Sequence, residues 1–188
     1  RSRQTNKPDK YIVSECVKVL RDELPYNLHI FVNSVEFIAK VIDTLKLAPE
    51  AVKVVCSTSG ESRQENQRKL GNAYPIGQPS DPAKKINFYT STCFEGCDIF
   101  DPDGVTFIVS DGRKAHTLLD ISTLFTQICG RIRDSRYKAQ IVHVYSTTKY
   151  SKAVTLDEFV AATQRTLADA ESYAAEINSL SEATRVKT

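Results

Sequence analysis

Short apolar bursts alternate with helix-patterned stretches along most of this chain. The segment "NLHIFVNS" is rich in β-favouring residues and runs straight into "SVEFIAKVIDTLKL". In that second stretch Val35, Ile38, Ala39, Ile42 and Leu45 recur at helical spacing, and Ser34 stands where an N-cap belongs. The same strand-then-helix unit returns with "AVKVVCS" and "GESRQENQRKLG". It returns again with "KINFYTS", "GVTFIVSD" and "AQIVHVYS", the last two separated by the amphipathic "AHTLLDISTLFTQICGRI". Strands are therefore predicted at Leu28 to Val32, Val52 to Cys56, Ile86 to Thr90, Val105 to Val109 and Gln140 to Tyr145. They read as near-continuous apolar runs, as a parallel sheet covered on both faces requires, and helical connections supply the crossovers. The expected class is α/β: a three-layer, open, mainly parallel sheet with helices on both faces.

Three regions flank or interrupt this pattern. Residues 1–27 form a lead-in: the polar "RSRQTNKPDK" and a helix from about Lys10 to Leu24, ended by Pro25. Gly71 to Lys85 holds three of the seven prolines and two glycines and is expected to be a surface excursion. Residues 151–188 form a helical extension. From Thr155 to about Leu180, Leu156, Phe159, Val160, Thr163, Leu167, Ala170, Ala174 and Ile177 share one side of a long helix in need of a partner. The sheet domain itself spans residues 28–150.

Composition narrows the function classes. At 188 residues, 41% hydrophobic and 26% charged, the chain suits one globular core. A net charge of +2 gives no global basic field, so any polyanion site must be local. The odd count of five cysteines, with no CxxC pair, points to free core thiols in a reducing, intracellular compartment, the cytoplasm if the source is bacterial. No apolar run approaches the ~18 residues of a membrane span, so no membrane partner is expected. The absence of methionine suggests a piece of a larger protein. His29 and His143 in apolar strands, and His116 near a helix start, have no paired spacing to cysteine or carboxylate, so no metal site is expected.

In open α/β sheets, ligands gather at the C-terminal strand ends. Here those ends are small and polar: "VNS", "CSTSGES", "YTSTCFEGCD" and "VSDGR". Hydroxyls and free backbone N–H groups at helix starts suit phosphates, although the same residues also serve as ordinary caps. Further along, "QICGRIRD" sets Arg131 and Arg133 around an apolar stretch. If Thr117 to Arg131 is helical, Gln127 and Arg131 share a face at i and i+4, and Gly130 keeps the approach uncrowded. As plain surface cations, the two arginines would merely complement a helix C-terminus.

Three blocks in order, "LHIFVNSVEFIAKVI", "INFYTSTCFEGCDI" and "DISTLFTQICGRIRD", resemble motifs IV, V and VI of superfamily 2 helicases, in the second RecA-like domain of these P-loop NTPases. The resemblance covers Leu28 to Tyr145. It implies that Thr90 and its neighbours touch the backbone of a bound nucleic-acid strand, DNA in preference to RNA; from the polar strand ends, Asn33, Ser34, Ser57, Thr58, Thr90 and Ser91 are expected to cluster on one edge and contact the phosphates of that strand. It implies that Gly96, Asp98 and Gly130 lie near the nucleotide, and that Gln127 and Arg131, with Arg133, face its γ-phosphate. Family members commonly carry a second arginine where this chain has Asp134, and Arg133 sits one residue early. On a continuing helix Arg133 would point away from Arg131; a helix broken at "GRIRD" would allow both to converge.

No GxxxxGK[ST] loop or D-E-x-D/H segment occurs in the chain. The resemblance therefore implies ATP and Mg²⁺ held mainly by an N-terminal RecA-like domain of the parent protein. The fragment alone is expected to bind no cofactor and to be inactive. Two alternatives stand beside this ATP-dependent motor: a catalytically degenerate RecA-like scaffold for nucleic acid or protein, and a doubly wound small-molecule enzyme. The absence of a Gly-rich turn after the first strand disfavours the last.

Overall fold

The computed structural model of the chain describes residues 1–146 and 155–179. The chain divides into two units, 1–148 and 149–188. In the first, β1 (Ser2–Gln4) leads to α1 (Pro8–Leu20), β2 (Asn27–Phe31), α2 (Val35–Leu45), β3 (Val52–Val55), α3 (Glu61–Leu70) and β4 (Ile86–Tyr89). Then come β5 (Ile99–Phe100), β6 (Gly104–Ser110), α4 (Thr126–Cys129), β7 (Ile132–Arg133) and β8 (Ile141–Tyr145). Six strands form one sheet in the order β1-β8-β6-β2-β4-β3, and β5 pairs with β7 in a separate ribbon. Every pairing among these strands is parallel. The α/β class and all five expected strands are thus present.

The lead-in belongs to this unit. β1 is an edge strand whose side chains are exposed, and it joins β8 through its backbone alone, with Thr5 N–H donating to Tyr145 C=O at 2.8 Å. The first helix starts two residues before the expected position, with Pro8 in its first turn, where a missing N–H costs nothing. Ser34 caps α2: its Oγ accepts from the Phe37 N–H at 3.2 Å.

The two faces of the sheet are covered differently. Ile12, Cys16 and Val19 of α1, Phe37, Ile38, Val41 and Ile42 of α2, and Leu70 of α3 pack on one face, against Leu28, Ile30, Val54, Phe88 and Phe107. The other face, bearing Phe31, Val55, Tyr89 and Ile108, is covered by Cys93, Phe94, Ile99 and Ile128, contributed by short elements and loops. Loops carry free backbone groups, and this permits polar residues on that face. Lys53, Asn87, His29 and Thr106 are neighbours across four adjacent strands, and all are buried. Lys53 Nζ donates to the carbonyls of Pro79 and Asp81, pinning the proline-rich excursion. The excursion also bridges to the sheet at Val54 and Ile76. Asn87 Nδ2 donates to the carbonyls of Leu28 and Lys84. Among the described residues no buried side-chain polar atom lacks a partner.

In the second unit α5 (Leu156–Ser179) is opened by a capping box. Thr155 N–H donates to Glu158 Oε2 at 2.8 Å, and the Glu158 N–H returns a bond to Thr155 Oγ1 at 3.3 Å. Leu156, Phe159, Val160 and Leu167 are exposed. Among the described residues no helix is long and apolar enough to cross a membrane.

Candidate functional site

Because the strands are parallel, their C-terminal ends share one edge. The register that pairs Phe31 with Tyr89 and Tyr89 with Val55 carries Asn33, Ser91 and Ser57 to that edge together. Chain order reverses here: β4 flanks β2 on one side and β6 on the other. Asn33 bridges the gap, its Nδ2 donating to the His116 carbonyl at 2.9 Å and its Oδ1 accepting from the Ser91 N–H at 3.4 Å. The other candidates divide by exposure. Thr58 and Ser91 are open to solvent, and Ser57 is half-buried beside Ser59, their hydroxyls 3.0 Å apart. Thr90 is buried, its hydroxyl 3.4 Å from that of Thr92, and Ser34 is buried as the cap of α2.

The expected helix over Thr117 to Arg131 does not form as one element. Ala115–Thr117 is a 3₁₀ turn, Ile121–Phe125 is π-helical, and only Thr126–Cys129 is α-helical. Asp120 caps the π-helical turn by accepting from the Thr123 N–H, and the helix ends at Gly130. Gln127 and Arg131 therefore do not share a helix face. Arg131 instead reaches back: its Nε donates to the Gln127 carbonyl and its Nη1 to the Cys97 carbonyl, both at 3.0 Å. The Gln127 side chain is exposed. Gly130 gives the approach no special clearance, since a Cβ there would meet only the Gln127 carbonyl, at 3.6 Å.

Beyond Gly130 the chain becomes extended and pairs with the segment after Gly96, whose φ of 69° turns the chain into β5. Ile99 N–H donates to the Arg131 carbonyl at 2.9 Å, Ile99 lies beside Ile132, and Phe100 beside Arg133. Ile99 and Ile132 point inward and are buried. Their strand neighbours Phe100 and Arg133 are exposed, as is Asp98 just before the ribbon. Arg133 Nε donates to Asp98 Oδ1 at 2.9 Å. The break in the helix thus brings Arg133 onto Asp98. Two of the five guanidinium N–H donors of Arg131 are engaged by carbonyls. The other three have no partner among the described residues.

A buried polar network anchors this ribbon. Asp101, directly after β5, accepts from Asn27 Nδ2 at 3.0 Å and pairs with His29 Nε2 at 2.8 Å. Burial alone would raise the Asp101 pKa, but these bonds and the Asp103 N–H outweigh it and hold the carboxyl below its ordinary value. Burial likewise pushes His29 down, against the pull of Asp101. A neutral imidazole facing a carboxylate must carry its proton on Nε2, so Nδ1 accepts from the Tyr89 hydroxyl, 3.1 Å away. Gly104 makes room for this packing: a Cβ there would lie 3.0 Å from the His29 ring and 3.1 Å from Ile132 Cγ2.

Sequence reasoning missed the ribbon, Phe100 and the anchor beneath. Two-residue strands leave no periodicity, although His29 is visible as a polar residue inside an apolar run. Among the described residues no group of three or more His, Cys, Asp or Glu could hold a metal ion. No family model matches the chain, and no curated protein matches it.

Proposed function

We propose that this chain is the second RecA-like domain of an ATP-dependent superfamily 2 helicase or translocase, supplying an arginine finger and part of the nucleic-acid track. The single observation that carries the reading is the seating of Arg131. Its guanidinium is fixed by carbonyls from two segments 30 residues or more apart in sequence, Cys97 and its own helix, and its other N–H groups have no partner among the described residues. Phosphoryl transfer asks the protein mainly for positioned positive charge, and a planar, permanently ionised guanidinium supplies it. ATP and Mg²⁺ would be held mainly by a preceding domain. This chain's part is to present Arg131 and Gln127 across the cleft and to hold a strand backbone along Asn33, Ser57, Thr58 and Ser91.

The test is Arg131→Ala in the full-length protein. Nucleic-acid-stimulated ATP turnover should fall at least about a hundredfold, below the range known for arginine fingers, while nucleotide affinity changes far less. Turnover at the wild-type rate would overturn the reading. Two observations favour a degenerate scaffold instead: Arg133 is already paired to Asp98, and Asp134 stands where family members carry an arginine. Undiminished nucleic-acid binding together with ATP turnover indifferent to Arg131 would establish that alternative.

A further inference from the structure

Between α1 and the β1 edge lies a cavity of about 380 Å³, beside the N-terminal ends of β6 and β8 and so at the opposite strand ends from Asn33, Ser57 and Ser91. Its floor is apolar, formed by Val105, Phe107 and Val142. Tyr11, Glu15 and Lys18 line it from α1, spaced at i, i+4 and i+7 and therefore on one side of the helix. Tyr26, just before β2, adds a second ring, edge-on to Tyr137 with centroids 5.6 Å apart. Arg1 and Arg3 complete the lining from the sheet edge. The Arg1 carbonyl continues the β1 ladder by accepting from the His143 N–H at 2.9 Å, so the two-residue period directs both arginines to the same face.

The charges in this cavity do not cancel. Glu15 is 8% exposed and its carboxylate is already engaged, accepting from Lys18 Nζ at 2.6 Å. What remains is two guanidiniums, whose side chains make no hydrogen bond or ion pair with any described residue. Arg113, Arg133 and Arg136 of the same unit, by contrast, are each tied to an aspartate. A ligand that completes the site therefore carries about two negative charges at one end and an apolar body at the other. A phosphate monoester meets the first need, with a charge of about −1.5 to −2 at neutral pH and oxygens that match the guanidinium fork. A flat ring meets the second, and the volume lies within the range of small-molecule sites.

We propose that this cavity binds a small organic phosphate monoester with an aromatic body, its phosphate on Arg1 and Arg3 and its ring on the apolar floor between Tyr11 and Tyr26. The site uses none of the residues assigned to nucleotide or nucleic acid, so it does not depend on the motor reading.

The experiment is calorimetric titration of the full-length protein with phenyl phosphate and with inorganic phosphate. Phenyl phosphate should bind at least about tenfold more tightly than inorganic phosphate, the difference being burial of the ring. Arg3→Gln should weaken it by about 10- to 150-fold, the range for one charged hydrogen bond, with the urea midpoint unchanged because the β1 side chains are exposed. Arg131→Ala should leave both affinities unchanged. Phenyl phosphate bound no more tightly than inorganic phosphate would reduce the cavity to a plain cation patch. Affinity indifferent to Arg3→Gln, or lost in Arg131→Ala, would place the ligand elsewhere. Each of these results, like a failure to bind phenyl phosphate at millimolar concentration, overturns the proposal. Should Arg131→Ala leave ATP turnover intact while Arg3→Gln still loses phenyl phosphate, the motor reading fails and this site stands.

Discussion

Arg133 Nε donates to Asp98 Oδ1 at 2.9 Å across the β5–β7 ribbon, joining the segment after Gly96 to the segment after Gly130. Both side chains are about half exposed, 49% and 48%, so the ion pair itself adds little stability. Its effect is orientation. It holds a carboxylate and a guanidinium against each other at the ribbon.

Arg133→Ala is therefore expected to separate stability from activity. Denaturant unfolding should show a loss of no more than about 1 kcal/mol, as for an exposed pair. Under the proposed motor reading, in which both arginines follow the helix end at Gly130 and address one nucleotide, ATP turnover of the full-length protein should nevertheless fall more than about tenfold. Turnover within about threefold of wild type would leave Arg131 as the single finger.

Gly104→Ala should destabilise the sheet unit by about 1–3 kcal/mol, the usual cost of overpacking. The added methyl would meet the His29 ring at 3.0 Å, and that ring is bonded on both sides, to Tyr89 and Asp101, and has nowhere to move. A midpoint unchanged in urea would contradict this account of the packing.

Acid should weaken the fold in a defined window. The His29 pKa is lowered below 6.5 in the folded state, so the unfolded chain takes up the proton first as pH falls. Stability is then constant above about pH 6.5, falls below it, and levels once the folded pKa is passed. Burial lowers His143 as well, with the same sign and window, and Asp101 adds a further loss below its ordinary 3.8. Urea titrations at a series of pH values should show a shallower decline between pH 6.5 and 4 for His29→Gln than for wild type.

Nucleic acid held along the C-terminal edge should bind by its backbone. Fluorescence anisotropy over a salt series should show affinity falling steeply with salt and differing little between sequences of equal length. Asn33→Ala unties Ser91 from the His116 loop and should weaken all sequences alike. Strong preference for one oligonucleotide, or a flat salt dependence, would exclude this mode.

Local patterns in the sequence carried the α/β class, the five long strands, α2 with its Ser34 cap, and the gathering of Asn33, Ser57 and Ser91 at one edge. These follow from burial and capping, which each segment expresses in its own residues: a strand covered on both faces reads as an apolar run wherever it is placed. What the tertiary structure alone decided has no such local signature. β1 is polar and exposed, yet joins the sheet, because a ladder needs only backbone groups and a neighbour. Lys53, Asn87 and His29 are buried because loops, not helices, bring them carbonyls and a carboxylate. The fate of Thr117 to Arg131 was decided the same way. Its apolar positions suit a helix, but Ile132 gains burial beside Ile99 and the Arg131 carbonyl gains the Ile99 N–H only if the chain leaves the helix at Gly130 and extends. That exchange of local for distant hydrogen bonds is what seats Arg131 on the Cys97 carbonyl and Arg133 on Asp98.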